Sequence, residues 1–139
     1  MSGSSKSANE ASMLLQKAAR GAGFGVAQAR DFGTAAALHL YASRSEGDLI
    51  DALHDRIGPI TTLPAVIDDL LDPTSDGSGV FTGLALSYFQ TATARPTIGR
   101  IMMSDGLNAH LNTLAAKTYV PASDASRLAG AGAGLTDND

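Results

Sequence analysis

Two stretches of this 139-residue chain place an arginine beside a run of glycines. They are "KAARGAG" at residues 17–23 and "SRLAGAGAG" at residues 126–134. A guanidinium group binds a carboxylate or a phosphate through parallel hydrogen bonds, and glycine-rich backbone presents its amide groups to an anion. The two stretches therefore suggest one anion-binding site with these candidate residues: Arg20, Gly21, Gly23, Ser123, Ser126, Arg127, Gly130, Gly132, Asp137 and Asp139.

Neither glycine run matches the dinucleotide-binding fingerprint, which needs a strand before G-x-G-x-x-G and a helix after it. The run "GAGFG" at residues 21–25 follows a helical pattern, and "GAGAG" at residues 130–134 precedes no long helix. Both runs are typical of helix ends, although the first also precedes a helix whose N-terminus can hold an anion. The tail is either an unfolded terminus or a segment that folds back through an ion pair between Arg127 and Asp137 or Asp139.

Motifs for metal binding and nucleophilic catalysis are missing from the sequence. The chain has no cysteine, and its three histidines, His39, His54 and His110, are far apart without an H-E-x-x-H pattern. The segment "DPTSDGSG" resembles a calcium loop, but Gly83 stands where such a loop needs a glutamate. We therefore predict no metal site and no cofactor. Whether the protein is an enzyme stays open, with His110, Tyr119 or a tail aspartate as acid–base candidates.

The surroundings of the three histidines differ. His54 lies close to Asp51 and Asp55 on a predicted helix, which indicates a surface imidazole. His39 and His110 are flanked by leucines, which favours half-buried, hydrogen-bonded side chains.

Composition sets the class of protein. The net charge is −4 and the basic residues are scattered, which argues against nucleic acid as a partner. No apolar run is long enough for a membrane span or a signal peptide, so we expect no membrane contact and a cytoplasmic location. An apolar content of 44% over 139 residues fits one domain with one core.

The first half of the sequence has a helical pattern. After a segment at residues 1–8 that we expect to be mobile, a helix begins at Asn9 and ends at Gly21 or Gly23. A second helix follows from residue 26, and a third spans 45–58 with its apolar residues on one face. Residues 61–72 predict a fourth helix, with Pro64 in its first turn. The helical part thus covers residues 9–72.

The second half, residues 80–139, is predicted to mix strands and helices. Alternating apolar residues favour a strand over 80–93, with a buried helix as the alternative, and residues 97–103 suggest a second short strand. Ser104 or Asp105 begins a last helix, which ends before Pro121. The sequence therefore predicts a single α+β domain over 9–139, in which N-terminal helices pack with a short antiparallel β element. A C-terminal helix follows, and its glycine-rich tail folds back.

Both arginine–glycine stretches resemble motifs of an uncharacterised bacterial family, which is known as a domain of unknown function. The similarity covers "ANEASMLLQKAARGAGFG" near the start and "TYVPASDASRLAGAGAGLTDND" at the end. This chain differs from the family in carrying Phe24 where tryptophan is usual, and in a shorter middle. The family has no established activity, so the resemblance implies no catalytic residue, but it does imply that the tail is ordered and functional.

These observations lead to two functional hypotheses. The first is a protein that binds a small anionic metabolite between the "KAARGAG" turn and the C-terminal tail, with Arg20 and Arg127 holding the anion. The alternative is a non-catalytic interaction module or homo-oligomer, because the alanine-rich helices allow close contact between chains.

Overall fold

The computed structural model of the chain describes residues 3–70, 81–93 and 96–118. These residues form two short strands and six helices, none of which is long and apolar enough to cross a membrane. The fold is thus mainly helical with a small antiparallel sheet, which is compatible with the predicted α+β class. In chain order the elements are β1 (Ser4–Lys6), α1 (Ala8–Gly21), α2 (Val26–Tyr41), α3 (Glu46–Leu53), α4 (Pro59–Leu70), α5 (Gly83–Thr93), β2 (Ile101–Met103) and α6 (Asp105–Ala116).

Helix α1 lies at the centre of the packing, between α2 and α6, and α2 in turn packs against α5. Two glycines let these helices come unusually close. A Cβ atom at Gly21 would collide with the carbonyl group of Leu114 in α6, and one at Gly33 would lie 2.7 Å from the carbonyl oxygen of Ser12 in α1. Phe32 and Leu15 are among the fully buried side chains of this core.

Both ends of α1 are capped by local hydrogen bonds. At the start, the Ser7 hydroxyl accepts from the Glu10 amide at 3.0 Å, and the Ser7 amide donates to Glu10 Oε1 at 2.9 Å. This capping box makes Ser7 the N-cap of α1. The helix therefore begins two residues earlier than predicted, since the sequence suggests Asn9 as the cap. At the end, the Phe24 amide donates to the Ala19 carbonyl at 3.0 Å while Gly23 has a φ of +106°, which is a Schellman motif.

Strand β1 corrects the expectation of a mobile N-terminus for residues 4–6. It pairs with β2 in antiparallel register, so that Ser5 lies opposite Met102. Arg100 adds hydrogen bonds from its guanidinium group to the side chain and the backbone carbonyl of Ser5, both at 3.0 Å. The predicted second strand at 97–103 is confirmed over its last three residues.

Helix α5 contradicts the strand predicted over 80–93. The apolar alternation there is real, but the buried side chains Leu84, Ser87 and Tyr88 follow the i, i+3, i+4 spacing of one helix face. Phe89 is buried as well, because α5 contributes apolar residues to the core on more than one side. The buried helix, which the sequence left as the alternative, is the correct interpretation.

Helices α3 and α4 have other bounds than predicted. Helix α3 ends at Leu53 instead of continuing to residue 58, so Ile57, expected on its apolar face, is 84% exposed. Pro59 then begins α4, a position where its missing amide hydrogen costs no hydrogen bond. The sequence offers Ser104 or Asp105 as the start of α6. Ser104 is its side-chain cap, because the Ser104 hydroxyl accepts from the Leu107 amide at 3.0 Å.

Candidate functional site

Three of the predicted anion-binding residues lie at the end of α1, where each has a role in the fold. Arg20 Nη1 donates to the Phe24 carbonyl at 3.1 Å. Gly21 permits the close approach of α6, and Gly23 takes up the left-handed conformation of the helix end. The guanidinium group of Arg56 lies against Gly23, within 2.8 Å of where a Cβ atom would be. The turn therefore has two guanidinium groups beside it.

The other predicted site residues lie outside the described residues, as does Tyr119. They belong to the tail: Ser123, Ser126, Arg127, Gly130, Gly132, Asp137 and Asp139. The contact between the turn and the tail therefore stays a prediction.

A cavity of about 530 Å³ lies between α2, α4 and α5. Pro96 and Ile98, from the segment before β2, complete its wall. Its size is within the usual range of sites for small molecules, about 300–1,000 Å³. The polar part of the lining comes from Arg30, Asp31, Thr34, Asp68, Tyr88 and Thr91.

Tyr88 is the buried polar residue of this lining. Its side chain is only 5% exposed, and its Oη has no hydrogen-bond partner among the described residues. Burial raises the pKa of Tyr88 well above its ordinary value, and the negative charge of Asp31 raises it further. The phenol therefore stays protonated and offers a hydrogen to an acceptor. Buried hydroxyl groups usually have a partner, so this phenol is a candidate donor for a group beyond the described residues.

The charged groups of the lining come from two helices. Arg30 and Asp31 lie on α2, and Asp68 lies on α4. All three side chains are exposed to water. Two carboxylates beside one guanidinium group favour a ligand that carries both a positive and a negative group.

A second polar cluster is buried between α2, α3 and α5, around His39. His39 Nε2 is 2.7 Å from the Ser45 carbonyl oxygen, so this nitrogen carries the hydrogen and donates. His39 Nδ1 then accepts from the Ser87 hydroxyl at 3.0 Å, and Ser87 Oγ accepts from Arg44 at 2.7 Å. Arg44 also donates to Gln90 at 2.9 Å. The result is a continuous chain of hydrogen bonds that joins the three helices.

The His39 cluster has the composition of a catalytic triad, because Asp48 Oδ2 lies 3.7 Å from His39 Nε2. A nucleophile must reach its substrate, however, and both Ser87 and His39 are completely buried. Burial lowers the pKa of His39, so its neutral form is favoured. The cluster therefore acts in the fold as a cross-link, and the half-buried histidine predicted here is a fully buried one.

A smaller, acidic cleft of about 350 Å³ lies beside this cluster, lined among others by Asp48, Asp51 and Asp55. Within the described part of the chain, no group of three or more histidine, aspartate or glutamate side chains could hold a metal ion. We therefore assign no ligand to this cleft.

The other two histidines are close in space, although the sequence separates them. Their Nε2 atoms are 2.9 Å apart and their ring centres 4.9 Å apart, with an angle of 70° between the rings. His54 is exposed, as predicted.

Comparison with known proteins gives no relative from which a function could be transferred. No family model, no curated protein and no solved structure matches this chain. The resemblance to a bacterial family therefore stays a prediction.

Sequence reasoning missed the cavity residues because it assigned α5 as a strand. With a helix over 83–93, Tyr88, Thr91 and Ala92 fall on one face at i, i+3 and i+4. The phenol and the hydroxyl on that face were the sequence signal that could have identified the cavity lining. The partners from α2 and α4 depend on helix packing, which has no local sequence pattern.

Proposed function

We propose that the protein binds a small zwitterionic molecule in the cavity between α2, α4 and α5. The observation that carries the proposal is the buried hydroxyl of Tyr88, which has no hydrogen-bond partner among the described residues and belongs to the lining of a cavity of ligand size. In the complex, Tyr88 donates a hydrogen bond to an oxygen atom of the ligand. Asp31 and Asp68 attract its ammonium group, and Arg30 attracts its carboxylate.

The substitution Tyr88→Phe tests the proposal, because it removes the hydroxyl and keeps the ring. A panel of free amino acids and related zwitterions is screened by thermal shift, and binding of the best ligand is measured by calorimetry. We expect Tyr88→Phe to weaken that binding about tenfold, the value of roughly one hydrogen bond. Without ligand, we expect the free energy of unfolding to stay the same or rise by about 1 kcal/mol, because an unpaired buried hydroxyl is lost.

Tyr41→Phe is the matched control, since Tyr41 is 47% exposed and does not line the cavity. It should leave ligand binding unchanged. If no zwitterion stabilises the wild-type protein, the proposed function is wrong. If a ligand binds both tyrosine variants equally well, its site lies elsewhere.

A second candidate is the small anionic metabolite suggested by the sequence, held at the "KAARGAG" turn. What supports it is that Arg56 lies against Gly23, while Arg20 lies against Phe24 in the same turn. Two guanidinium groups beside one stretch of backbone suit a phosphate or a carboxylate. We expect phosphate to raise the melting temperature of the wild-type protein but not that of Arg56→Gln.

Arg30→Gln separates this second candidate from the first, because Arg30 lines the cavity and does not belong to the turn. A phosphate effect that survives Arg56→Gln and disappears with Arg30→Gln would move the anion from the turn to the cavity. The homo-oligomeric module stays a prediction, since nothing in the described residues selects an interface.

A further inference from the structure

We propose that His54 and His110 form a binding site for a divalent transition metal, Cu²⁺ or Ni²⁺, on the face where α3 ends beside α6. The two imidazoles come from separate elements: His54 is the C-cap of α3, and His110 lies in α6. Their Nε2 atoms are joined by a hydrogen bond of 2.9 Å, so both lone pairs are available at one place when the donating ring carries its hydrogen on Nδ1 instead.

The distance between the two nitrogens favours a particular coordination geometry. A metal–nitrogen bond is about 2.0–2.1 Å long, so two ligands at a right angle are about 2.8–3.0 Å apart, and two ligands of a tetrahedron about 3.3–3.4 Å. The hydrogen-bonded nitrogens, 2.9 Å apart, already have the right-angle separation, and to bind an ion both rings must turn their lone pairs toward one point. Imidazole nitrogens at right angles are typical of the square-planar and octahedral sites of Cu²⁺ and Ni²⁺, whereas tetrahedral Zn²⁺ would need the rings to separate.

A second contact between α3 and α6 helps to hold the histidine pair in place. Glu46, in the first turn of α3, accepts from the Ser104 amide at 2.9 Å and from the Ser104 hydroxyl at 2.5 Å, just before α6. Helices α3 and α6 are therefore joined at their beginnings by Glu46 and further along by the histidines. A pre-organised pair of ligands binds a metal with a smaller loss of conformational entropy than two free side chains.

The charge around the pair also suits a cation. Asp51, one turn before His54, and Asp55, the next residue, are both exposed. These carboxylates add long-range attraction for a divalent ion without being ligands. Among the described residues two nitrogens converge, so water would fill the remaining coordination positions.

The chain's composition makes the site easy to isolate experimentally. It has three histidines and no cysteine, and the third histidine, His39, is fully buried with both ring nitrogens in hydrogen bonds. Any imidazole-dependent metal affinity must therefore come from His54 and His110.

The test is titration of the full chain with Cu²⁺ and Ni²⁺ by calorimetry, together with electron paramagnetic resonance of the Cu²⁺ complex. We expect one ion per chain and the signature of two nitrogen ligands. His54→Asn and His110→Asn should each weaken binding at least tenfold, and the double variant little more, because loss of either ring ends the chelation. Mg²⁺, which prefers oxygen ligands, should not compete.

Two results would overturn the site: no Cu²⁺ or Ni²⁺ binding by the wild-type chain, or binding by both single variants as tight as that of the wild type. Circular dichroism should show that the variants are folded, because His54 is exposed and His110 is half-buried. Neither histidine lines the cavity of Tyr88, so metal binding and zwitterion binding succeed or fail independently.

Discussion

Replacing His39 by alanine is expected to lower the free energy of unfolding by about 3–5 kcal/mol. The side chain is completely buried and joins the carbonyl of Ser45 to the hydroxyl of Ser87. Its removal leaves a cavity and takes the side-chain donor from the Ser45 carbonyl, while Ser87 keeps its hydrogen bond with Arg44, and the two costs add. The measurement is equilibrium unfolding in urea, followed by circular dichroism.

His54→Ala is the matched control, because the same substitution is made at an exposed position. Losing the hydrogen bond of His54 with His110 should cost about 0.5–1.5 kcal/mol, well below the loss expected for His39. Comparable losses in the two variants would mean that the cluster around His39 does not hold the helices together.

The same cluster makes stability depend on pH. Burial lowers the pKa of His39 in the folded protein, so the unfolded chain binds a proton more readily than the folded one. Stability from this group is complete above the ordinary histidine pKa, near 6.5, and falls as the pH drops toward the folded pKa. The difference between the wild-type profile and that of His39→Gln isolates this residue, and a difference that does not change with pH would contradict the assignment.

Gly21→Ala is expected to destabilise the protein by about 2–4 kcal/mol, although alanine is the better helix former. The added methyl group would collide with the carbonyl group of Leu114, which is backbone and cannot turn away. Helices α1 and α6 must then separate, and the apolar contacts between them loosen. Urea unfolding gives the loss in stability.

For Gly47→Ala we expect the opposite change in the free energy of unfolding. Gly47 lies in α3, and its added methyl group would meet only the Ser45 hydroxyl, at 3.4 Å. We expect a gain of up to about 1 kcal/mol from the better helix propensity. Two glycine variants that change stability in the same direction would show that the contact with Leu114 is not the cause.

The helices of the N-terminal half could be predicted from sequence because their signals are local. Spaced apolar residues, glycine at the end of α1 and the proline that begins α4 each act within a few residues of the feature they determine. The same approach failed for α5, because an apolar segment buried on several sides has no clear period. It also failed for β1, since three residues become a strand only when β2 lies beside them.

The candidate sites depend even more on tertiary contacts. Tyr88 and Asp31 are far apart in the sequence and meet only because α5 packs on α2. His54 and His110 likewise come together through the packing of α3 and α6. Residue types suggested what these side chains can do, but only the structure places them next to one another.

The position of α6 against Gly21 has a consequence for the order of events during synthesis. The last residue of α1 is added 93 residues before Leu114, roughly 5–20 seconds earlier at about 5–20 residues per second. Until α6 emerges, the side of α1 that it will cover has no final partner. Folding is therefore completed only after α6 emerges, and a chain released earlier would keep an apolar surface that chaperones recognise.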